Sequence, residues 1–192
     1  MKSAFIEVYD DIIPIELQNY LLKIVHNDNP NIKTQTDAFP EYFKDSATTN
    51  EKLDYYDFIF YNVLYHESEP RKYYPSYTFS FLQILYKLCN HLNIITHDVH
   101  RMTYYHQPPS IHPKVLQPHT DKNTPHWVCL YYLDDSEGDT IFYDSSGNEI
   151  ERVAPKKGRI AFFDGLIYHS GTRPTKTHRR VLNINFIGEI QN

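Results

Sequence analysis

Apolar residues recur at helical spacing in two stretches of the first half of the chain. One stretch begins after Pro14, whose fixed backbone angle φ suits the first turn of a helix, and continues to residue 25. The other stretch spans residues 76–92. Because positions i, i+3, i+4 and i+7 lie on one face of a helix, both stretches are predicted to form amphipathic helices that pack on another layer. The apolar positions are Leu17, Tyr20, Leu21, Ile24 and Val25 in the first stretch and Phe81, Leu85, Leu88 and Leu92 in the second.

Short runs of β-branched and aromatic residues, separated by turn residues, dominate the chain after residue 97. Such runs predict strands, and residues 145–148 predict the tip of a hairpin. Strands that follow a helical layer favour a mainly β fold of the α+β class, a β-sandwich or jelly roll with N-terminal helices packed on one outer face. The predicted strands are residues 4–9, 55–65, 99–106, 115–121, 127–133, 140–143, 159–163 and 180–187.

The length of the chain predicts a single domain over residues 1–192, because a chain of this size can bury its own core. Within it, a helical and loop-rich part covers residues 1–97, and the jelly-roll core covers residues 98–188. Residues 27–50 are rich in Asn, Asp, Thr and Pro and predict a long loop. Loops this long inside a compact domain usually serve a function, so we expect this loop and residues 108–114 to form a lid over the substrate.

Charge and cysteine content restrict the function further. A formal net charge of -5 offers no basic field for phosphate backbones, so we expect no nucleic-acid partner. The sequence has no apolar run typical of a signal peptide or a transmembrane helix, so we expect no membrane partner either. Cys89 and Cys129 stand in apolar runs and are predicted to be reduced, buried thiols of a cytoplasmic protein.

A candidate metal site begins at His119 and Asp121. In an extended strand, residues i and i+2 point to the same face, so both side chains reach one point. With His169 as a third ligand, the set contains two imidazoles and one carboxylate. This is the facial triad of non-haem iron(II) oxygenases, and it leaves positions open for a co-substrate and dioxygen. With 11 His in the chain a His-x-Asp triplet is expected about once by chance, so the prediction depends on the residues that accompany it.

A basic residue at the start of the last predicted strand accompanies the ligands. A guanidinium binds a carboxylate through two parallel hydrogen bonds, which suits the anchoring of an acidic co-substrate. Strand alternation places Arg180 on one face with Leu182, Ile184 and Phe186, and it places Arg179 on the other face. We assign the carboxylate-binding role to Arg180, with Arg179 as the alternative.

Residues 99–187 resemble the iron(II)- and 2-oxoglutarate-dependent dioxygenases, in particular the prolyl 4-hydroxylase-like group with its marine bacterial and phage members. The resemblance is carried by an ordered series of motifs around the candidate ligands. One position departs from the pattern, because the family usually has two glycines before its acidic-Thr pair and here Glu137 stands at the first. The motifs are residues 119–121, 128–133, 138–142, 155–164 and 169–171, followed by Arg180.

The resemblance implies a double-stranded β-helix that holds Fe(II) through His119, Asp121 and His169. It also implies that 2-oxoglutarate chelates the metal by its keto-acid end, while Arg180 and the hydroxyl of Tyr132 bind its far carboxylate. The implied reaction uses O2 to convert 2-oxoglutarate to succinate and to hydroxylate a substrate C–H bond, with peptidyl proline as the leading substrate. A phage-encoded member would act in the host cytoplasm.

Two alternative functions stay open at this point. One is a metal-binding cupin-like protein that does not use 2-oxoglutarate, in which the arginine is an ordinary surface charge. The other is a 2-oxoglutarate oxygenase that acts on a small molecule such as a free amino acid. A halogenase is disfavoured, because Asp121 fills the coordination position that halogenases leave vacant for halide. Of the neighbours Tyr104 and Tyr105, only one can face the substrate side of a strand.

Overall fold

A computed structural model gives the fold of the chain. The predicted lid falls largely outside the described residues, since residues 29–37, 45–50 and 113 belong to none of the described ranges. The start of the predicted strand 55–65 also lies outside them. The described ranges are 4–28, 38–44, 58–69, 75–112 and 114–191.

Both predicted helices are confirmed. Helix α1 spans Ile15–Val25 directly after Pro14, and helix α2 spans Pro75–Leu92. Their apolar faces are buried, with Leu21 and Phe81 fully shielded from solvent. Within the described ranges, neither helix is long and apolar enough to cross a membrane.

The strands of the described residues pair into two antiparallel sheets. In chain order they are β1 (Ile6–Tyr9), β2 (Tyr42–Lys44), β3 (Ile59–His66), β4 (Ile94–Gln107), β5 (Trp127–Tyr132), β6 (Thr140–Tyr143), β7 (Glu149–Val153), β8 (Ile160–Asp164), β9 (Tyr168–Gly171) and β10 (Arg179–Ile190). The large sheet has the order β1-β8-β5-β10-β4-β3-β2, and the small sheet has the order β7-β6-β9. The N-terminal strands β1, β2 and β3 are therefore built into the large sheet.

The large sheet is covered on both faces. Its outer face packs against the two helices in a core that includes Leu182, Ile184 and Phe186 of β10. Its inner face packs against the small sheet in a second core that includes Val181 of β10 and Phe142 of β6. The mainly β jelly roll with helices on one face is thus confirmed, and successive residues of β10 alternate between the two cores.

The predicted strand 115–121 is wrong. This segment lies beside β9 but makes only two isolated bridges among the described residues, Val115 to Thr172 and His119 to His169. The bridges are four residues apart on one segment and three on the other, so the register shifts between them. Pro118 lies directly before the second bridge and has no backbone N–H to donate to a ladder. Strands β7 and β9 were not among the predictions, whereas the predicted hairpin tip at 145–148 joins β6 to β7.

Candidate functional site

A cavity opens between the two sheets beside β9 and the first half of β10. Strands of both sheets contribute to its wall, so its shape depends on the packing of the jelly roll and not on one loop. Imidazole, carboxylate and guanidinium groups meet there with apolar side chains. The lining residues are Ile59, Tyr105, Gln107, Leu116, His119, Asp121, Leu130, Thr140, His169, Ser170, Gly171, Arg179, Val181 and Asn183.

The three candidate metal ligands lie together on the wall of this cavity. His119, Asp121 and His169 each offer one ligand atom, and these atoms lie within 4.8 Å of one another. The backbones of His119 and His169 exchange two hydrogen bonds of 3.0 Å, which hold the two imidazoles side by side. Nε2 of His169 lies 4.0 Å from Oδ2 of Asp121, which is too far for a hydrogen bond. This spacing leaves room for an ion between the donors.

Each imidazole has one nitrogen occupied and one directed to the site. Nδ1 of His119 lies 3.1 Å from the carbonyl oxygen of Gln117, and Nδ1 of His169 lies 3.0 Å from that of Ile167. A carbonyl only accepts, so each Nδ1 carries a proton, and in the neutral imidazole Nε2 then keeps a lone pair. Burial lowers the pKa of His169, although the charge of Asp121 opposes this effect. In its neutral form, each ring therefore presents Nε2 as the nitrogen that can bind a metal.

Three side chains hold the carboxylate of Asp121. Arg101 donates to Oδ1 at 2.7 Å, while the amide groups of Asn183 and Asn185 each donate to Oδ2 at 2.9 Å. Burial alone would raise the pKa of Asp121, but the charges of His169 and Arg101 and the two amide hydrogen bonds hold it below its ordinary value. The carboxylate stays ionised, as a metal ligand must. Sequence reasoning identified none of these three partners.

A second group of side chains also has metal-like spacing. Glu67, Asp98 and His100 bring ligand atoms within 4.8 Å of one another, away from the cavity. Nδ1 of His100 contacts Oε2 of Glu67 at 2.5 Å, and Lys122 donates to Oε1 of Glu67 at 2.8 Å. The hydrogen bonds from Lys122 and His100 lower the pKa of Glu67 to about 2. The charged groups of this cluster are therefore paired with one another, and none of its residues lines the cavity.

The structure corrects the assignment of the arginine. Arg179 lines the cavity and is 5% exposed, whereas Arg180 points away from it. Nη1 of Arg180 donates to Oδ2 of Asp134 at 2.6 Å. The apolar face that Arg180 shares is the face turned to the helices, so it is the other face of β10 that looks into the jelly roll. Arg179 shares that inner face with Val181 and Asn183.

The guanidinium of Arg179 is fixed by three acceptors. Nε donates to the carbonyl oxygen of Gly138 at 2.6 Å, Nη1 to Oε1 of Gln107 at 3.2 Å, and Nη2 to Oγ1 of Thr140 at 2.9 Å. A guanidinium has five N–H groups, so about two remain for a ligand in the cavity. Burial lowers the pKa of Arg179, while Tyr132 and nearby carboxylates oppose this shift. The result is a rigid cation that lacks a carboxylate partner among its hydrogen bonds.

Tyr132 lies behind the cavity wall and not in it. Its side chain is fully buried in the core between the sheets, and its hydroxyl donates to Oγ1 of Thr140 at 2.7 Å. Oγ1 of Thr140 thereby accepts from both Tyr132 and Arg179. Both lone pairs of that oxygen are used, so the hydroxyl hydrogen of Thr140 is left to donate to another group. Of these two residues, Thr140 lines the cavity and Tyr132 does not.

The structure explains why Glu137 can stand where the family usually has a glycine. Its carboxylate accepts hydrogen bonds from the backbone N–H groups of Thr175 and Lys176 and from the hydroxyl of Thr177, in the loop that leads into β10. The hydrogen bond from Thr177 is the main reason that the pKa of Glu137 falls to about 2. Gly138 stands at the second of the two positions where the family usually has glycine. A side chain is not tolerated there, because a Cβ would lie 2.7 Å from Cδ of Arg179. The turn therefore orients the start of β10.

Other residues near the ligands have separate places. Of the two adjacent tyrosines, Tyr105 lines the cavity and Tyr104 is buried on the helix side, where its hydroxyl donates to Glu41. Nδ1 of His106 contacts the same carboxylate at 3.0 Å. The ring of His126 packs against Gly165, outside the lining of the cavity. Neither His106 nor His126 is grouped with the three candidate ligands or lines the cavity.

Comparison with known proteins finds a similarity to oxygenases over the second half of the chain. Residues 102–187 match the family model described as the 2OG-Fe(II) oxygenase superfamily. These residues contain the whole candidate triad and Arg179. No curated protein matches the chain at a significant level.

Solved structures share the fold at low sequence identity. A prolyl-4-hydroxylase from Pseudomonas putida is 13% identical, with a TM-score of 0.62 over 96% of this chain and 93% of that one. An oxidoreductase of the 2OG-Fe(II) oxygenase family from Burkholderia pseudomallei is 9% identical, with a TM-score of 0.68 over 97% and 86%. A viral collagen prolyl hydroxylase from Paramecium bursaria Chlorella virus-1, in its 2OG complex, is 13% identical, with a TM-score of 0.54 over 97% of each chain.

Proposed function

We propose that this chain is an oxygenase of the 2OG-Fe(II) superfamily, whose family model matches residues 102–187, and that its cavity couples oxidation of 2-oxoglutarate to hydroxylation of a substrate C–H bond. The cofactor is Fe(II), and 2-oxoglutarate and O2 are the co-substrates. One observation carries the assignment of residues: a two-histidine, one-carboxylate set and a buried arginine with unused N–H groups line the same cavity. A cupin-like metal protein without 2-oxoglutarate gives no reason for that arginine to be buried.

His119, Asp121 and His169 would hold the metal. Their donor set of two imidazole nitrogens and one carboxylate oxygen fits Fe(II), and both Nε2 atoms keep their lone pairs. When bound, iron supplies the activation of dioxygen, which these side chains cannot perform themselves. The protein orients the ligands through backbone and amide hydrogen bonds, so the donors need little rearrangement to bind the ion.

Arg179 and Thr140 would bind the far carboxylate of 2-oxoglutarate. Arg179 and Thr140 both line the cavity and are joined by a hydrogen bond, so the remaining N–H groups of Arg179 and the hydroxyl hydrogen of Thr140 would together donate to a carboxylate. Gln107, which sequence reasoning missed, accepts a hydrogen bond from Nη1 of the guanidinium and helps to hold it in place. Tyr132 acts through Thr140 by fixing its hydroxyl. Leu130 and Val181 contribute apolar side chains to the cavity wall, which would limit the access of water to the bound co-substrate.

A peptide or a small molecule is the substrate class, and we propose peptidyl proline as the first candidate. This choice is supported by the prolyl hydroxylases among the structures of the same fold. A free amino acid is the second candidate. Tyr105 and Leu116 line the cavity and would contact the substrate.

A cytoplasmic location also belongs to the proposal. Cys89 and Cys129 are both free and buried, and burial raises the pKa of each thiol. Such thiols stay protonated and unreactive, which is typical of a protein kept in a reducing compartment.

Production of succinate tests the proposed reaction. We expect iron-loaded protein to convert 2-oxoglutarate to succinate in air, slowly without substrate and faster when a proline-containing peptide or free proline is added. Succinate measured by mass spectrometry reports the turnover, and a mass increase of one oxygen atom identifies the hydroxylated compound. Absence of any succinate would favour the cupin-like alternative.

A substitution at Gly138 tests how Arg179 is seated. In Gly138→Ala the new Cβ would lie 2.7 Å from Cδ of Arg179 and 2.8 Å from the carbonyl oxygen of Thr172, so the guanidinium must move. We expect the affinity for 2-oxoglutarate to fall about tenfold, or about 1.4 kcal/mol, with little change in metal affinity. Calorimetric titration measures the dissociation constants of both 2-oxoglutarate and the metal.

Gly171→Ala is the matched control for this substitution. Its Cβ would lie 3.6 Å from Cζ of Arg179, an ordinary van der Waals contact. We expect the affinity for 2-oxoglutarate to stay within about threefold of the wild-type value. Equal losses in the two variants would show that crowding of the cavity, and not displacement of Arg179, is responsible.

A further inference from the structure

The side chains that donate hydrogen bonds to Asp121 differ in charge. Arg101, Asn183 and Asn185 each donate one hydrogen bond to this carboxylate. An ionised carboxylate has about four acceptor positions, so these donors leave about one for a metal. Asn183 and Asn185 are neutral and Arg101 is a cation. All three orient Asp121, but only Arg101 also changes the charge of the site.

The positions of these donors are well defined. Arg101 lies on β4 and Asn185 lies directly opposite it on β10. Asn185 is fully buried, and its amide nitrogen also lies 3.0 Å from Oδ1 of Asn183. The Asp121 side chain is 5% exposed and that of Arg101 is 26% exposed. A charge pair this close and this shielded from water interacts strongly.

The charge of Arg101 acts on two ligands in opposite directions. It offsets the charge of Asp121, so the carboxylate attracts a divalent cation less, and the guanidinium itself repels that cation. With neutral imidazoles as the other ligands, the loaded site keeps a net positive charge. This charge favours an anion such as a keto acid at the open positions. This inference rests on the function proposed above. It predicts that loss of the Arg101 charge strengthens the binding of the metal and weakens the binding of the keto acid.

We propose that Arg101 is a positioning residue that sets the charge of the metal site, weakening the binding of the divalent cation and strengthening the binding of the anionic co-substrate. Asn183 and Asn185 orient Asp121 without this effect. The hydrogen bonds from Asn183 and Asn185 to Asp121 thus raise the affinity for the metal. The charge of Arg101 lowers it.

Calorimetric titration with Co(II), without oxygen and without turnover, tests the proposal. In Arg101→Gln, which keeps an N–H donor and loses the charge, we expect Co(II) to bind about tenfold more tightly. With Co(II) at saturation, 2-oxoglutarate should bind about tenfold more weakly to this variant. Arg101→Lys keeps the charge, so both affinities should stay within about threefold of the wild-type values.

Asn185→Leu is the neutral comparison. Removal of its donor should weaken Co(II) binding about tenfold, as expected for a partner that only orients a ligand. Arg101→Met is a second uncharged variant, with the same expected effects as Arg101→Gln, should the glutamine variant fail to fold. Weaker Co(II) binding in the uncharged Arg101 variants, or no change in either affinity, overturns the proposal. Absence of Co(II) binding to the wild-type protein would overturn the metal site itself, which is a distinguishable result.

Discussion

Replacement of Arg179 by glutamine is expected to weaken 2-oxoglutarate binding by about 100-fold or more. The guanidinium is buried, faces the cavity and has about two N–H groups left for a carboxylate after its bonds to Gly138, Gln107 and Thr140. Hydrogen bonds to charged groups contribute about 1.5–3 kcal/mol each, so the loss of two corresponds to about 3–6 kcal/mol. Calorimetric titration of metal-loaded protein with 2-oxoglutarate measures the effect.

Arg180→Gln is the matched control for this prediction. The two arginines are adjacent, but Arg180 forms a salt bridge with Asp134 on the opposite face of the sheet. Its replacement is expected to change the affinity for 2-oxoglutarate by less than about threefold, with a loss of stability of about 1 kcal/mol or less because the pair is partly exposed. Loss of binding in Arg180→Gln, with normal binding in Arg179→Gln, would reinstate the assignment made from sequence alternation.

The error over the two arginines has a physical cause. Alternation along β10 correctly shows which residues share a face, but it does not show which face holds the site. In a sheet that is covered on both sides, the more apolar face with Leu182 and Ile184 packs on helices. The face with Asn183 and Asn185 turns to the cavity, and two asparagines at alternate positions in a buried strand were the signal that could have identified it.

Other parts of the fold were accessible to sequence because they depend on local patterns. Both helices follow from apolar spacing, and β6 coincides with its predicted range because turn residues mark both ends. Strand β9 was missed, since Tyr168–Gly171 is short and its pattern is neither apolar nor alternating. Its pairing with β6 comes from tertiary packing, which no local pattern encodes.

The same distinction applies to the candidate site. His119, Asp121 and His169 could be proposed because their chemistry is specific and their order matches a family pattern. The groups that hold these ligands in place could not be predicted. Arg101, for example, lies on β4, and its contact with Asp121 is created by the fold. Thr140 and Gln107 are likewise joined to Arg179 only by the fold.

Removal of one ligand is the second large effect that we expect. His169 is 6% exposed, lies opposite His119 and presents Nε2 to the site, so His169→Ala removes a donor that no neighbouring imidazole in the described residues is placed to replace. Hydroxylation and the uncoupled formation of succinate should both fall by about 1,000-fold or more, because the metal no longer has its ligand set. His112→Ala is the control, since this exposed histidine lies outside the cavity lining.

The central claim is that His119, Asp121, His169 and Arg179 form one site for Fe(II) and 2-oxoglutarate. Visible absorption of anaerobic protein with both added tests it most directly, since a keto acid bound to Fe(II) gives a weak charge-transfer band. We predict the band in the wild-type protein and in His112→Ala, and its absence in His169→Ala. A normal band in His169→Ala, or no band in the wild-type protein, would contradict the account.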